Sequence, residues 1–204
     1  MKRFLPIVAL VVICWVVFVV NNLMMHGALT QFGIIPRHLA RLPGIIWSPF
    51  LHVSFRHLAA NTLPLLILGS ILCACSRSEF LTVTVGGILI GGGLTWLLAR
   101  NDCHVGASGL IFCYFGFLTS RAYFERTLVT LFLAVICLVI YGGIMRGLLP
   151  TSFAISWESH AAGLVAGVAS AWLITSQKRN AKLAGTNAPK PVVERSDPCA
   201  KARN

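Results

Sequence analysis

The sequence predicts an all-α integral membrane protein built as a bundle of six transmembrane helices. Of its 204 residues, 56% are hydrophobic and only 11% are charged, and the mean hydropathy is +0.79. A soluble domain of this size carries more charge. Apolar runs of about 20 residues, the length that crosses a bilayer as a helix, recur along the chain. Nearly everything before Ser176 therefore belongs to one membrane domain.

The apolar runs give the positions of the helices. We place the six spans at about 4–21, 54–74, 80–99, 108–121, 127–143 and 158–176, within a membrane domain of residues 1–176. The first run follows Met1-Lys2-Arg3, as a signal peptide would. The residues after it, Asn21-Asn22-Leu23-Met24, offer no small-x-small cleavage site, so we interpret the run as the first helix.

The connection between the first two spans, from about Asn22 to Ser54, is the longest in the predicted bundle. It contains three prolines and scattered apolar residues, and it has no strong helix signal. Loops of this length are usually functional or packed on the membrane surface, and we expect the same here.

Positive charge is concentrated at the C-terminus. The net charge is +11, and seven of the 17 lysines and arginines lie in residues 177–204. Basic residues beside a final span fix topology or touch anionic lipid more often than they bind nucleic acid. We therefore expect the lipid bilayer, and no nucleic acid, as a partner. The tail lacks apolar periodicity and is predicted to be disordered. Six spans place both termini on one side, and the charge bias favours the cytoplasmic side of a cell (inner) membrane.

The seven cysteines do not form a disulfide framework. Five fall inside predicted spans or, for Cys75, at the end of one, where cysteine behaves as a small apolar residue. Cys103 lies in a predicted external loop and Cys199 in the tail. The Cys73-x-Cys75 pair does not have the spacing of a zinc site. No metal or cofactor is expected.

Three predicted helices begin at the same face of the membrane with polar residues. With the N-terminus inside, the second, fourth and sixth helices all run inward from the outer face. His57 and Asn61 lie one turn apart on the second helix, Ser108 starts the fourth, and His160 lies in the first turn of the sixth. Polar groups at membrane depth are costly and indicate function by default.

Small residues follow one face of the fourth and of the sixth helix. Such stripes allow transmembrane backbones to approach closely, although they also occur in many membrane proteins without chemistry. If the two faces meet, Ser108 and His160 come within reach of each other. The stripes are Gly109, Cys113, Gly116 and Ser120, and Ser159, Gly163, Gly167 and Ala171.

These residue types are those of a hydrolytic dyad. A serine hydroxyl needs an adjacent base, usually histidine, and acyl transfer needs donors directed at the oxyanion. Asn61, His57 and the Ser108 backbone amide are candidate donors. Glu158 faces away from His160 on the helix and Asp102 lies in an adjoining loop, so a Ser–His dyad is a better interpretation than a triad.

At these residues the chain resembles the rhomboid family of intramembrane serine proteases. The matching motifs are Gly106-Ala107-Ser108-Gly109, His52-x4-His57-x3-Asn61 and His160-x-x-Gly163-x-x-x-Gly167, in family order over residues 1–176. The family's frequent Trp-Arg pair in the first loop is not evident. The expected form is the minimal bacterial one, without a seventh helix or an added cytosolic domain.

The resemblance implies a cavity open to the outer side, with Ser108 as nucleophile, His160 as general base, and Asn61, His57 and the Ser108 amide around the oxyanion. It implies single-pass transmembrane proteins as substrates, cleaved in or near the membrane segment. Phe112 aligns with an aromatic residue, commonly tyrosine, that packs on the catalytic histidine. Gly106, Gly109 and Gly163 are expected to shape the site.

Two assignments stay open at this stage. His52 either shapes the entrance of the second helix or touches substrate. The fifth helix, with the glycine-rich stretch 142–147 that follows it, is either a movable wall for lateral substrate entry or ends in a merely flexible loop.

Two other functions compete with proteolysis. A membrane metalloenzyme would use His52, His57 and His160, although no His-Glu-x-x-His motif appears. A catalytically silent rhomboid-like protein would bind transmembrane helices, although such a protein would be expected to lack the serine or the histidine.

Overall fold

The computed structural model describes residues 2–150 and 156–186, and six long helices make up most of that part of the chain. The third helix contains a π-helical turn at Gly87–Gly91. The six helices are α1 (Leu5–Leu23), α2 (Phe55–Cys75), α3 (Arg77–Leu98), α4 (Ser108–Glu125), α5 (Leu128–Tyr141) and α6 (Trp157–Thr186).

Four helical segments of the described residues are long and apolar enough to cross a membrane: α1, α2, α3 and α5 with the turn that follows it, Leu128–Leu148. The two others, α4 and α6, carry charged residues such as Arg121 and Glu158 among many small ones. The all-helical class is confirmed for the described residues. The count of six spans stays a prediction, because length and hydropathy alone support four.

The packing explains why α4 is less apolar. It is the central helix of the bundle, and nine of its residues are buried in the protein, so little of it needs a surface suited to lipid. The helix α6 lies directly against it. A Cβ on Gly163 would collide with the carbonyl oxygen of Gly109, and a Cβ on Gly167 with that of Cys113. Glycines at these positions let the two backbones touch.

The long first loop packs against the loop that leads into α4. It is a series of short helical turns: Ala28–Phe32, Leu39–Arg41, Gly44–Trp47 and Ser48–Phe50. Ile34 and His104 exchange backbone hydrogen bonds of 3.0 and 2.8 Å, and Arg37 Nη1 donates to the Ala99 carbonyl at 2.8 Å. These bonds attach the first loop to the segment that positions Ser108.

The last helix corrects one expectation. The disordered tail was predicted to start at 177, but α6 continues to Thr186. Lys178 forms ion pairs with Glu79 (2.5 Å) and Glu125 (3.1 Å), and Arg121 bridges the same two carboxylates at 2.7 and 2.8 Å. The extension is thus held to α3 and α4 by charge, and its alanines, lysines and leucine favour helix. Residues 187–204, the rest of the predicted tail, lie outside the described residues.

Candidate active site

The turn before α4 presents Ser108 at the start of that helix. Gly106 has a φ of 117°, a left-handed conformation that suits glycine. A Cβ at this position would also lie 2.6 Å from the His57 ring. The Gly106 N–H donates to the Ser48 carbonyl at 2.8 Å. Glycine is therefore required here by both conformation and space.

Ser108 and His160 form a hydrogen-bonded pair. The Ser108 Oγ lies 2.9 Å from His160 Nε2, and His160 is 8% exposed. The Phe112 ring stacks on the imidazole, with centroids 4.4 Å apart and planes 11° apart. The aromatic contact that the resemblance implies at Phe112 is thus present in the geometry, and it limits rotation of the histidine ring.

The second nitrogen of His160 bonds to the backbone and not to a carboxylate. His160 Nδ1 lies 2.8 Å from the carbonyl oxygen of Gly147. A carbonyl only accepts, so Nδ1 carries the proton and Nε2 is free to accept one from Ser108. Glu158 is engaged by Arg100 at 3.2 Å, and Asp102 lies 3.8 Å from the same guanidinium.

Two polar side chains of α2 face Ser108 across a cavity of about 710 Å³. Ser54 caps this helix, its Oγ accepting from the His57 N–H at 3.2 Å. Asn61 Nδ2 and His57 Nδ1 are buried and have no hydrogen-bond partner among the residues that the structure describes. At the start of α4 the backbone amides also lack an intrahelical acceptor. The arrangement can therefore surround a negative oxygen formed beside Ser108 with donors.

His52 supports the Ser108 turn from behind the cavity. It is 1% exposed and does not line the cavity that contains Ser108. The Ala107 N–H donates to His52 Nε2 at 3.4 Å, and His52 Nδ1 lies 3.4 Å from the Phe50 carbonyl. Burial, and next the neighbouring His57, lower the pKa of His52 to about 4 against the opposing effect of the Phe50 carbonyl. A neutral ring can make both bonds. The geometry favours the structural alternative for His52.

The two glycines expected to pack α4 on α6 differ in their surroundings. A Cβ on Gly109 would lie 3.5 Å from the Ser159 carbonyl oxygen, an ordinary contact, whereas Gly163 has no room for one. The close approach of α4 and α6 therefore requires a glycine at position 163.

Two groups at this site were not found from the sequence. Gly147 contributes a backbone carbonyl, which has no side-chain signature in the sequence, and the glycine-rich stretch around it does not single it out. His104 is 3% exposed, with Nδ1 at 2.6 Å from Ser156 Oγ and Nε2 at 3.0 Å from the Arg100 carbonyl. Its position two residues before Gly106 was the available signal.

The metalloenzyme hypothesis requires His52, His57 and His160 to hold one metal ion. His52 and His57 meet edge to face, with ring centroids 5.1 Å apart, while His160 Nε2 faces Ser108. Within residues 2–150 and 156–186, no group of three His, Cys, Asp or Glu side chains is placed to hold a metal ion.

The fold and site define an all-helical membrane protein with a hydrogen-bonded serine–histidine pair in the lining of a cavity. The sequence matches the family model described as "Rhomboid domain" over residues 36–177. The chain belongs to the rhomboid family.

Similar curated proteins from mycobacteria are described as uncharacterized. Over 159 residues the chain is 37% identical to uncharacterized protein Rv1337 of Mycobacterium tuberculosis, covering 74% of this chain and 66% of that protein. The identity and both coverages are the same for uncharacterized protein Mb1372 of Mycobacterium bovis. Uncharacterized protein ML1171 of Mycobacterium leprae is 35% identical over 159 residues, covering 72% and 63%. The matched region spans just under two thirds of the length of these relatives.

Proposed function

We propose that the protein is an intramembrane serine endopeptidase that cleaves single-pass transmembrane proteins in or near their membrane segment, using Ser108 and His160 as its dyad. The observation that carries the proposal is the 2.9 Å contact between Ser108 Oγ and His160 Nε2. Membership of the rhomboid family supports it.

The reaction follows from this contact. Ser108 Oγ attacks the scissile carbonyl carbon while His160 Nε2 takes the hydroxyl proton. The carbonyl oxygen becomes an oxyanion that receives hydrogen bonds from Asn61, His57 and the Ser108 amide. The imidazolium then protonates the leaving amine as the C–N bond breaks. A water attacks the acyl-enzyme, losing a proton to His160, and the return of that proton to Ser108 Oγ releases the new carboxyl terminus.

We further propose that all six helices cross the cell membrane with both termini in the cytoplasm. The cavity then opens on the outer side, where water reaches Ser108. The apolar spans support a multi-pass protein. The basic residues of the C-terminal segment support a cytoplasmic end.

The test is cleavage of a helical transmembrane reporter by purified protein in lipid vesicles. Ser108→Ala and His160→Ala are expected to abolish cleavage, because each removes a reacting atom. Matched controls are Ser120→Ala, whose hydroxyl bonds to the Gly116 carbonyl within α4, and His38→Ala in the first loop, where the residue is exposed.

Cleavage that persists at the wild-type rate in Ser108→Ala would contradict the assignment. Binding of the reporter by wild-type protein without cleavage would favour the alternative, a catalytically silent protein that binds transmembrane helices.

A further inference from the structure

The group that orients the catalytic base lies outside the three motifs that carry the resemblance. Histidine bases in serine hydrolases usually donate their second N–H to a carboxylate, which fixes the tautomer. Here Glu158 is held by Arg100, and His160 Nδ1 instead donates to the Gly147 carbonyl at 2.8 Å. The acceptor is neutral and belongs to the backbone.

Gly147 lies beyond the end of α5, in the turn Gly142–Leu148 that directly follows this helix. Only one face of α5 is buried, at Thr130, Ala134, Cys137 and Tyr141. The opposite face is exposed, with Leu128 at 86% and Val139 at 79%. The acceptor for His160 is thus attached to a helix that packs on the bundle by one face.

The glycines of this turn are not equivalent. A Cβ on Gly142 or Gly143 would meet no atom of the described residues within 4 Å, but a Cβ on Gly147 would lie 2.9 Å from His160 Nδ1 and 3.2 Å from Phe112 Cζ. Gly147 does not have a positive φ. The absence of a side chain at 147 therefore serves proximity to the imidazole and not backbone conformation.

We propose that Gly147 is a positioning residue whose carbonyl holds the His160 ring in the tautomer and orientation that can accept the Ser108 proton. This rests on the proposed function. A displacement of the α5 end would remove the acceptor, so the dyad is competent only while this turn is docked on α6. Ring stacking by Phe112 limits the tilt of the imidazole, and the Gly147 carbonyl sets which nitrogen is protonated.

The first experiment compares Gly147→Ala with the matched control Gly143→Ala in lipid vesicles. Three quantities are measured: kcat and KM for the transmembrane reporter, and the rate at which a small fluorophosphonate modifies Ser108. We expect Gly147→Ala to lower kcat and the fluorophosphonate rate together by about 10- to 100-fold, with KM changed less than about 2-fold. A wrong histidine tautomer in a triad protease costs about 10⁴. Gly143→Ala should match wild type in all three.

A second variant avoids the added methyl group and any effect it has on folding. Replacing the amide between Gly147 and Leu148 by an ester weakens the Gly147 carbonyl as an acceptor without adding volume. An ester between Gly143 and Ile144 is its control. We expect the first ester to lower the fluorophosphonate rate several-fold and the second to leave it unchanged.

The outcomes separate this proposal from the proposed function. A wild-type fluorophosphonate rate in both Gly147 variants would overturn the positioning role, even if reporter cleavage falls, because the turn would then act only on substrate entry. A wild-type protein that neither cleaves the reporter nor reacts at Ser108 would instead overturn the proposed function.

Discussion

Asn61 is a buried amide whose nitrogen has no hydrogen-bond acceptor within the described part of the chain, although Ser54 caps its helix. An unpaired buried donor costs about 1–3 kcal/mol. Such a cost is repaid when a charged reaction intermediate supplies the missing acceptor, because hydrogen bonds to an oxyanion are stronger than those to a ground-state carbonyl.

Substitution of Asn61 by alanine is expected to lower kcat with little change in KM. A single oxyanion donor is worth about 10²–10³ in turnover. The loss should be smaller here, since His57 and the Ser108 amide remain. Reporter cleavage by purified Asn61→Ala measures this loss. Asn22→Ala is the control, because that exposed amide donates to the Phe18 carbonyl within α1. Wild-type turnover in Asn61→Ala would show that Asn61 does not stabilise the oxyanion.

The pairing of α4 with α6 is the contact between elements on which the dyad depends. Ser108 and His160 sit at the first turns of these helices, so their 2.9 Å contact is set by the distance between two backbones. Gly163 and Gly167 are the positions where α6 meets backbone oxygens of α4, those of Gly109 and Cys113. A methyl group at either position would push the helices apart.

Alanine substitutions of Gly163 and Gly109, which lie on the two sides of this contact, are expected to differ in their effect on the free energy of unfolding. Gly163→Ala should lower the free energy of unfolding by about 1–3 kcal/mol, the usual cost of overpacking, and should lengthen the Ser108–His160 distance. Gly109→Ala should leave stability close to wild type, because its Cβ makes only an ordinary contact. Gly109→Ala is the comparison variant on the partner helix of the same contact. Detergent-unfolding midpoints measure the difference, and equal midpoints would show that Gly163 is not under steric constraint.

The organisation of the whole molecule could be predicted where it depends on local properties of the chain. Each of the six helices begins within three residues of its predicted start, because apolar length is visible in a short window. Helix direction then placed Ser108, His160, His57 and Asn61 on one side, and the structure brings all four to one cavity.

Features that depend on three-dimensional contact could not be predicted. The extension of α6 is held by Lys178 against Glu79 and Glu125, a contact that exists only once α3, α4 and α6 are assembled. The Gly147 carbonyl is a backbone group, which the sequence does not distinguish from any other. Hydropathy alone also does not select α4 as a span. A helix surrounded by protein can be less apolar than one surrounded by lipid.

The proposed topology can be tested with cysteines that the chain already has. Cys103 lies exposed in the loop between α3 and α4, whereas Cys14, Cys73, Cys113 and Cys137 are buried and Cys75 is half-buried. Cys199 lies in the C-terminal segment. Three helices, α4, α5 and α6, separate Cys103 from Cys199. If all three cross the membrane as proposed, the two thiols lie on opposite sides of it.

A membrane-impermeant maleimide should therefore label Cys103 in intact cells and Cys199 only after permeabilisation. Partial burial, and after it the neighbouring Asp102, raise the pKa of the Cys103 thiol despite the opposing Gly33 backbone. Because the thiolate is the reactive form, labelling needs a mildly alkaline buffer. Cys103→Ala and Cys199→Ala assign the two signals. Labelling of both thiols from outside would mean that α4, α5 and α6 do not all cross, and labelling of Cys199 alone would invert the orientation. In that orientation the Ser108 cavity would face the cytoplasm, and the proposed substrates would have to present their cleavage sites there.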